Sequence, residues 1–366
     1  MAIDFNGALT LADQAILSND PLVKEITKSL HKTWNAIKDI PFKTSPSLRQ
    51  IGQRYVNSGI PTPNWTGINS EPVAVKGKPK SYEEQMYLLR NKITVDHVLL
   101  DQPNNIVDPV EAQVQMFLEG FAYDFNDKFI NNDPTSTAPG NSPDAFPGLA
   151  YRLNNYAQFD IPVDLNVFSK ADASINSLLA ASSAYTGAGA ANRLIADIQA
   201  LLDAMNSPDG DGVVFYCSEM MKRQLEMAIR AMGIGAGFDI TQDSFDRPVE
   251  KYKNATVRVV GRKADGLTSV ISNTQTLQDT SSGSPVTWQY YNSGGTLTNV
   301  GAAGGVLYAV RYGDGYVSGW QSGPFKPQYL GLSKENGIMH NILFDWGCGL
   351  WIPHVRAIGR VCVKIN

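Results

Sequence analysis

Apolar positions near the start of the chain recur every three or four residues. Leu22 or Val23, Ile26, Leu30, Trp34 and Ile37 fall on one stripe, which predicts helix within 8–38. Asp20-Pro21 supplies a cap followed by proline at a first helical position, and IPFKTSPSLRQ breaks the pattern. Between 47 and 92 the pattern changes. The prolines and glycines between Arg54 and Gly77 exclude a helix, while Arg49 to Val56 and Gln85 to Val95 read as strands. The expectation is a long two-stranded excursion with an irregular tip. It has too little core material to stand as a domain, because a lone hairpin is marginal in water, and it is long enough to need a partner surface.

Residues 108–131 carry the strongest helical signature. Asp108 sits at the cap, Pro109 at the first position and Glu111 at the third, followed by Val110, Val114, Phe117, Leu118, Phe121, Phe125 and Phe129 at helical spacing. At ~1.5 Å per residue the helix is roughly 35 Å long. Asn131-Asn132-Asp133-Pro134 ends it, and a Pro/Ser/Asn-rich loop follows. Helix (192–205), strand (VVFYC), a helix capped by Ser218, and strand (256–262) then give an α/β or α+β rhythm. Residues 264–305 are rich in Ser, Thr, Gly and Asn around VTWQYY and predict hairpins or an exposed loop. Asp314-Gly315 between β-formers predicts another hairpin. In VRAIGRVCVKIN, Val355, Ala357, Val361, Val363 and Ile365 fall on one face. Arg356, Arg360 and Lys364 fall on the other, the pattern of a half-buried strand with a basic outer face that meets DNA or a neighbour.

Composition narrows the function classes. A chain of 366 residues that is 43% hydrophobic is long enough for about two domains and too apolar to be mainly disordered. Its 18% charged residues and net charge of −4 argue against a dedicated nucleic-acid binder. No run of 18 apolar residues predicts a membrane span, and the start has no secretory signal pattern. Cys217, Cys348 and Cys362 lie far apart, form no CxxC pair, and read as reduced, buried thiols.

Searches for catalytic chemistry find none. The four histidines form no HExxH or H-x-E, no GxSxG elbow occurs, and no GxxxxGK[ST] loop is present. GIGAG at 233–237 follows a predicted helix and reads as its C-terminus. SPDGDG at 207–212 lacks the remaining ligands of a calcium loop and reads as a tight turn. Lys76, Lys78 and Lys80 cluster on the excursion, as solvated charges or as ion-pair partners for a neighbouring subunit. No catalytic, cofactor-binding or metal site is expected, and the chain does not read as an enzyme.

An excursion without a core suits a chain whose missing contacts come from copies of itself. Several segments in order carry a resemblance: ALTLADQAILSNDPLVKEI leading to IPF, then KSYEEQMYLLRNKITVDHVLLD, VDPVEAQVQMFLEGFAYDFNDKFINND, FPGLAYRL, and GIMHNILFDWGCGLWIPHVRAIGRVCVKIN. Together they resemble the major capsid proteins of tailed double-stranded-DNA bacteriophages, which have the HK97 fold.

The resemblance implies an α+β fold with an N-terminal arm (1–46), an extended E-loop (47–95), and a peripheral domain (96–149) whose spine helix is 108–131. It implies a mostly axial domain over 150–344, including 264–305, and a C-terminal strand (345–366) returning to the peripheral domain. It implies pentamers and hexamers closing into an icosahedral shell around the genome, assembled in the host cytoplasm and ending as the virion capsid. The implied partners are other copies of the chain, packaged double-stranded DNA held non-specifically and a portal protein at one vertex. A separate scaffolding protein is also expected, since about 45 residues before the excursion are too few for a scaffolding domain. The expected subunit contacts are Ile60, Trp65, Ile68, Val73, Lys76, Lys78 and Lys80 on the loop and Ile26, Leu30 and Trp34 on the arm. An encapsulin-type shell, an α/β enzyme with an unrecognised site and a fibre protein are the alternatives.

Overall fold

A computed structural model describes residues 36–54, 61–77, 80–96, 109–232, 238–242, 248–273, 278–279, 286–300, 304–323, 325–332 and 338–365. The first half contains strands β1 (Phe42–Thr44), β2 (Arg49–Arg54), β3 (Lys80–Gln85) and β4 (Tyr87–Asp96). Helices α1 (Pro109–Asn131) and α2 (Leu149–Asn154), strand β5 (Asn166–Asp172), and helices α3 (Ile175–Leu179) and α4 (Ala188–Ala204) follow. Next come β6 (Val213–Cys217), α5 (Glu219–Met232), β7 (Phe238–Gln242), β8 (Pro248–Tyr252) and β9 (Ala255–Val259). The short strands β10 (Gln278–Asp279), β11 (Val286–Thr287), β12 (Gln289–Tyr291) and β13 (Leu297–Asn299) precede β14 (Gly304–Arg311), β15 (Ser318–Gln321), β16 (Lys326–Leu332), β17 (Met339–Trp351) and β18 (Ile358–Lys364).

Two sheets organise these elements. A five-stranded sheet is built on the 13-residue β17, with β4 along one edge and β16 and β15 sharing the other, β1 flanking β15. Along the first half of β17 burial alternates, and the buried side presents Phe344 and Trp346 to α1. Phe117 lies 4.3 Å from Phe344 and Phe121 lies 5.6 Å from Trp346, ring centre to ring centre. The aromatic stripe expected on 108–131 is this contact: Leu118, Phe121, Phe125 and Phe129 are buried and Val114 and Phe117 pack against the core. Aromatic side chains each bury roughly 150–250 Å², which makes this layer a main apolar anchor of the fold.

The second sheet is mixed, in the order β5-β18-β14-β6-β9-β8-β7. β6 and β14 are buried along almost their whole length because both faces are covered. Helices α4 and α5 lie against the sheet on one side, and α1 reaches Tyr216 through Phe129, ring centres 5.6 Å apart. Leu194, Ile198, Leu201, Leu202 and Met205 of the expected helix are all buried; it begins earlier, at Ala188. Ser218 caps α5 by accepting a hydrogen bond from the Met221 N–H at 3.2 Å. SPDGDG is a turn with Gly210 and Gly212 at positive φ, and a Cβ on Gly210 would come within 2.7 Å of the Ala255 backbone. Within 264–305 the described residues form two small hairpins, β10–β11 and β12–β13.

Three expectations are corrected. The return strand of the excursion is Lys80–Gln85, paired with β2, whereas Tyr87–Asp96 pairs with β17. Residues 80–96 contain no glycine or proline, so no turn signal marks the change of partner at Met86. Asp314-Gly315 does not close a two-stranded hairpin: β14 belongs to the seven-stranded sheet and β15 to the five-stranded one, so the turn carries the chain between sheets. Finally, β18 does not rejoin the five-stranded sheet and has no basic outer face. It lies between β14 and β5 in the seven-stranded sheet, buried on both sides. The helical stretch 8–35, with Ile26, Leu30 and Trp34, lies outside the described residues, as do Ile60, Lys78 and 233–237.

Candidate assembly interface

Strands β2 and β3 form an antiparallel ladder running from Arg49↔Gln85 to Arg54↔Lys80. At ~3.4 Å per residue, six pairs make a ladder about 20 Å long. Beyond them, residues 61–77 run without regular pairing. Trp65 is 102% exposed, Ile68 96% and Val73 66%, and Val75 is exposed as well. Lys76 is also exposed. Scattered surface apolar residues are ordinary; here several fall within one irregular segment of 17 residues, which makes it the candidate contact surface.

Lys80 behaves differently from the rest of the lysine cluster. Its Nζ donates to Asp160 Oδ1 at 2.8 Å within the same chain. Four residues further along, Glu84 is buried and its Oε1 accepts from Arg152 Nη1 at 2.5 Å, with side-chain exposures of 8% and 1%. Tyr82, between them, donates to Glu84 through its hydroxyl, and its ring lies 5.2 Å from Trp351. Trp351 fills the space over Gly52, where a Cβ would come within 2.6 Å of the indole. Burial works against the Arg152 charge, but the Glu84 carboxylate and Tyr82 outweigh it and hold the guanidinium above its ordinary pKa.

The basic C-terminal residues are occupied internally. Arg356 pairs with Asp164 at 2.8 Å and donates to the Ala204 carbonyl at 2.6 Å. Arg360, 5% exposed, donates to Asn166 Oδ1 and Asn154 Oδ1. Lys364 sits 3.4 Å from Asp172 and 4.4 Å from the Tyr290 ring centre. These side chains hold β18 against α2, β5 and β12, and the proposed basic face does not exist.

A second polar cluster joins residue 39 to the seven-stranded sheet. Asp39 accepts from Tyr216 Oη at 3.1 Å and from Arg258 Nη2 at 3.2 Å, and Tyr216 and Tyr312 share a 2.8 Å hydrogen bond. Burial, then the Asp39 charge, pushes both tyrosines well above their ordinary pKa. Sequence reading missed Glu84, Arg152, Tyr82, Asp39 and Arg258, because an isolated charge in an otherwise ordinary segment does not announce its partner. Among the described residues no three His, Cys, Asp or Glu side chains gather as a metal site, and no helix is long and apolar enough to cross a membrane.

Comparison with known proteins agrees with this anatomy. A family model described as "Major capsid protein GP7" matches residues 18–174, which span the hairpin, α1 and α2. No curated protein matches the chain. Among solved structures, the holo-SrpI encapsulin complex from Synechococcus elongatus PCC 7942 is similar at a TM-score of 0.52 and 10% identity, covering 89% of this chain and 86% of that one. A Microbacterium phage Oxtober96 structure gives 0.52 at 9% identity, covering 91% and 92%. The capsid of an empty GTA particle gives 0.52 at 10% identity, covering 91% and 90%. The fold is the HK97 fold, shared by phage capsids and encapsulin shells. Residues 18–174 are similar to a major capsid protein family, and the chain as a whole shares its fold with these shell structures.

Proposed function

We propose that copies of this chain assemble as pentamers and hexamers into a closed icosahedral shell around double-stranded DNA, the capsid of a virion formed in the host cytoplasm. The observation that carries this reading is the hairpin: its ladder is fastened to the body, and beyond the ladder Trp65, Ile68 and Val73 stand exposed. A neighbouring copy is the natural cover. A standard patch of ~800 Å² per partner at ~25 cal/mol per Å² gives a gross gain of some 20 kcal/mol per partner, most of it offset by ordering and association costs. Ile60 and Lys78 on the loop, and Ile26, Leu30 and Trp34 on the arm, are proposed to join the same contacts.

In this reading the chain before β1 is the arm and 47–85 the E-loop. The five-stranded sheet with α1 forms the peripheral part, and the seven-stranded sheet with α4 and α5 the axial part. A separate scaffolding protein and a portal complete assembly, and no catalytic step is involved. A net charge of −4 suits a wall that must release its DNA, since phosphate neutralisation dominates nucleic-acid affinity. Negative-stain electron microscopy of the purified protein, with and without its neighbouring scaffold gene product, tests the proposal. Closed shells or capsomers are expected; a monomer under every condition overturns it. Copurifying enzyme cargo in place of DNA would favour the encapsulin alternative.

A further inference from the structure

The root of the hairpin carries more chemistry than a hairpin needs. Residues 80, 82 and 84 share one face of β3, because side chains alternate along a strand. That face lies on α2 and the turn after it, and its charges are crossed with those beneath. Lys80 meets Asp160 at 2.8 Å and Glu84 meets Arg152 at 2.5 Å. The two contacts are four residues apart, about 13 Å along the strand. One contact would make a pivot, whereas two at that separation fix a direction.

The receiving side is built independently of the hairpin. Arg152 Nε donates to the Pro147 carbonyl at 3.1 Å, and the guanidinium lies 5.0 Å from the Phe159 ring centre. Its side chain is 1% exposed and that of Glu84 8%, so the pair is closed off from bulk solvent. Asp160 sits in the left-handed region at φ 56°, a conformation that only a few non-glycine residues adopt. The turn behind it is closed by Ile161 N–H to Tyr156 O at 2.9 Å and Gln158 N–H to Asn155 O at 2.9 Å. This conformation places the Asp160 carboxylate under Lys80.

We propose that these two ion pairs form a clamp that sets the direction in which the assembly hairpin leaves the body, with Arg152 and Asp160 as positioning residues. The inner pair is buried and is screened much less by salt. The outer pair is solvent-facing on the Lys80 side and weakens as salt screens it. Release of the outer pair lets the hairpin swing about the inner one, with Trp351 over Gly52 limiting its approach to the body. The consequence for shells rests on the assembly role proposed above: any difference in hairpin angle between subunit settings would be absorbed at the outer pair.

The test uses the full chain with Lys80→Asp, Asp160→Lys and the charge-swapped double variant, at the pair whose Lys80 side faces solvent, with the melting temperature of each variant measured to show that it folds. Amide exchange in Lys80–Gln85 is read on the unassembled protein, and particle diameters are read by electron microscopy after assembly. Each single variant is expected to speed exchange up to about fivefold, the most that an exposed pair's stabilisation supports, and to broaden the diameters. The double variant is expected to restore both. Single variants indistinguishable from the parent overturn the clamp, and so does a double variant that restores neither. If the parent forms no shell, the assembly role falls, while the exchange data still decide the clamp.

Discussion

Asp39→Ala offers the sharpest test of how residues 36–44 are attached to the rest of the molecule. Asp39 is the carboxylate facing Arg258 and Tyr216 in a region where all three are buried. Removing one partner of a buried ion pair typically costs ~3–5 kcal/mol, because the remaining charge stays in a poorly polarisable site. An unfolding entropy of ~2.1 cal/mol/K per residue over a chain of 366 residues comes to about 0.8 kcal/mol/K. The expected drop in melting temperature is therefore ~4–6 °C if the chain unfolds as one unit, and larger if a smaller unit unfolds first. Scanning calorimetry of the unassembled protein measures it. A companion Asp39→Leu, Arg258→Met variant removes both charges and should recover most of the loss. A shift below ~1 °C for the alanine variant, or no recovery in the pair, would show that the cluster does not hold the charge balance argued from its geometry.

Other outcomes follow from the same contacts. Trp65→Ala should leave the melting temperature of the unassembled protein within ~0.5 kcal/mol equivalence, because its side chain touches nothing, while assembly yield collapses; intact assembly would remove the tip from the interface. Arg360→Gln should lower stability by ~1–3 kcal/mol without changing DNA retention in shells, since its partners are Asn166 and Asn154, and a DNA-specific effect would contradict that placement. Burial pushes the Cys348 thiol up to about 12, so it should resist alkylation at pH 8 in the folded protein and react fully in denaturant. Asp314 is held below the usual carboxylate range by its hydrogen bond from Lys43 and then by the Lys43 charge. That contribution is present above the unfolded pKa of ~3.9 and is lost as pH falls through the lower folded value. Solvent screening keeps it small at this exposed pair. Asp314→Asn should flatten the acid limb of a melting profile slightly, and an effect confined to neutral pH would contradict the assignment.

What the sequence showed depended on whether a contact leaves a periodic trace. The aromatic stripe of α1 and the apolar stripe of α4 were legible because each helix buries one face, and that face repeats every three to four residues. The hairpin's existence was legible from its prolines and glycines, but not the point where β3 hands over to β4, because strand residues look alike whichever strand they pair with. Asp314-Gly315 is a sound turn signal, yet a turn does not say whether its two strands share a sheet. Arg360 alternates with apolar residues as a solvent-facing residue would. Only the structure shows Asn154 and Asn166 waiting where water was expected. For Arg152 and Glu84, 68 residues apart, there was no local pattern to read.

The position of β18 has a consequence for biosynthesis. It separates β5 from β14, so the seven-stranded sheet lacks an interior strand until residues 358–364 have been made. From β5 at 172 to its partner at 364 the ribosome adds roughly 190 residues, which at ~5–20 residues per second takes about 10–40 s. Throughout that interval β5, and from residue 311 onward β14, holds an open edge toward the gap, the kind of edge that cross-pairs between nascent chains on one messenger. The sheet is then completed in a single late insertion. The sheet is therefore complete only in a chain whose residues 358–364 are free to fold.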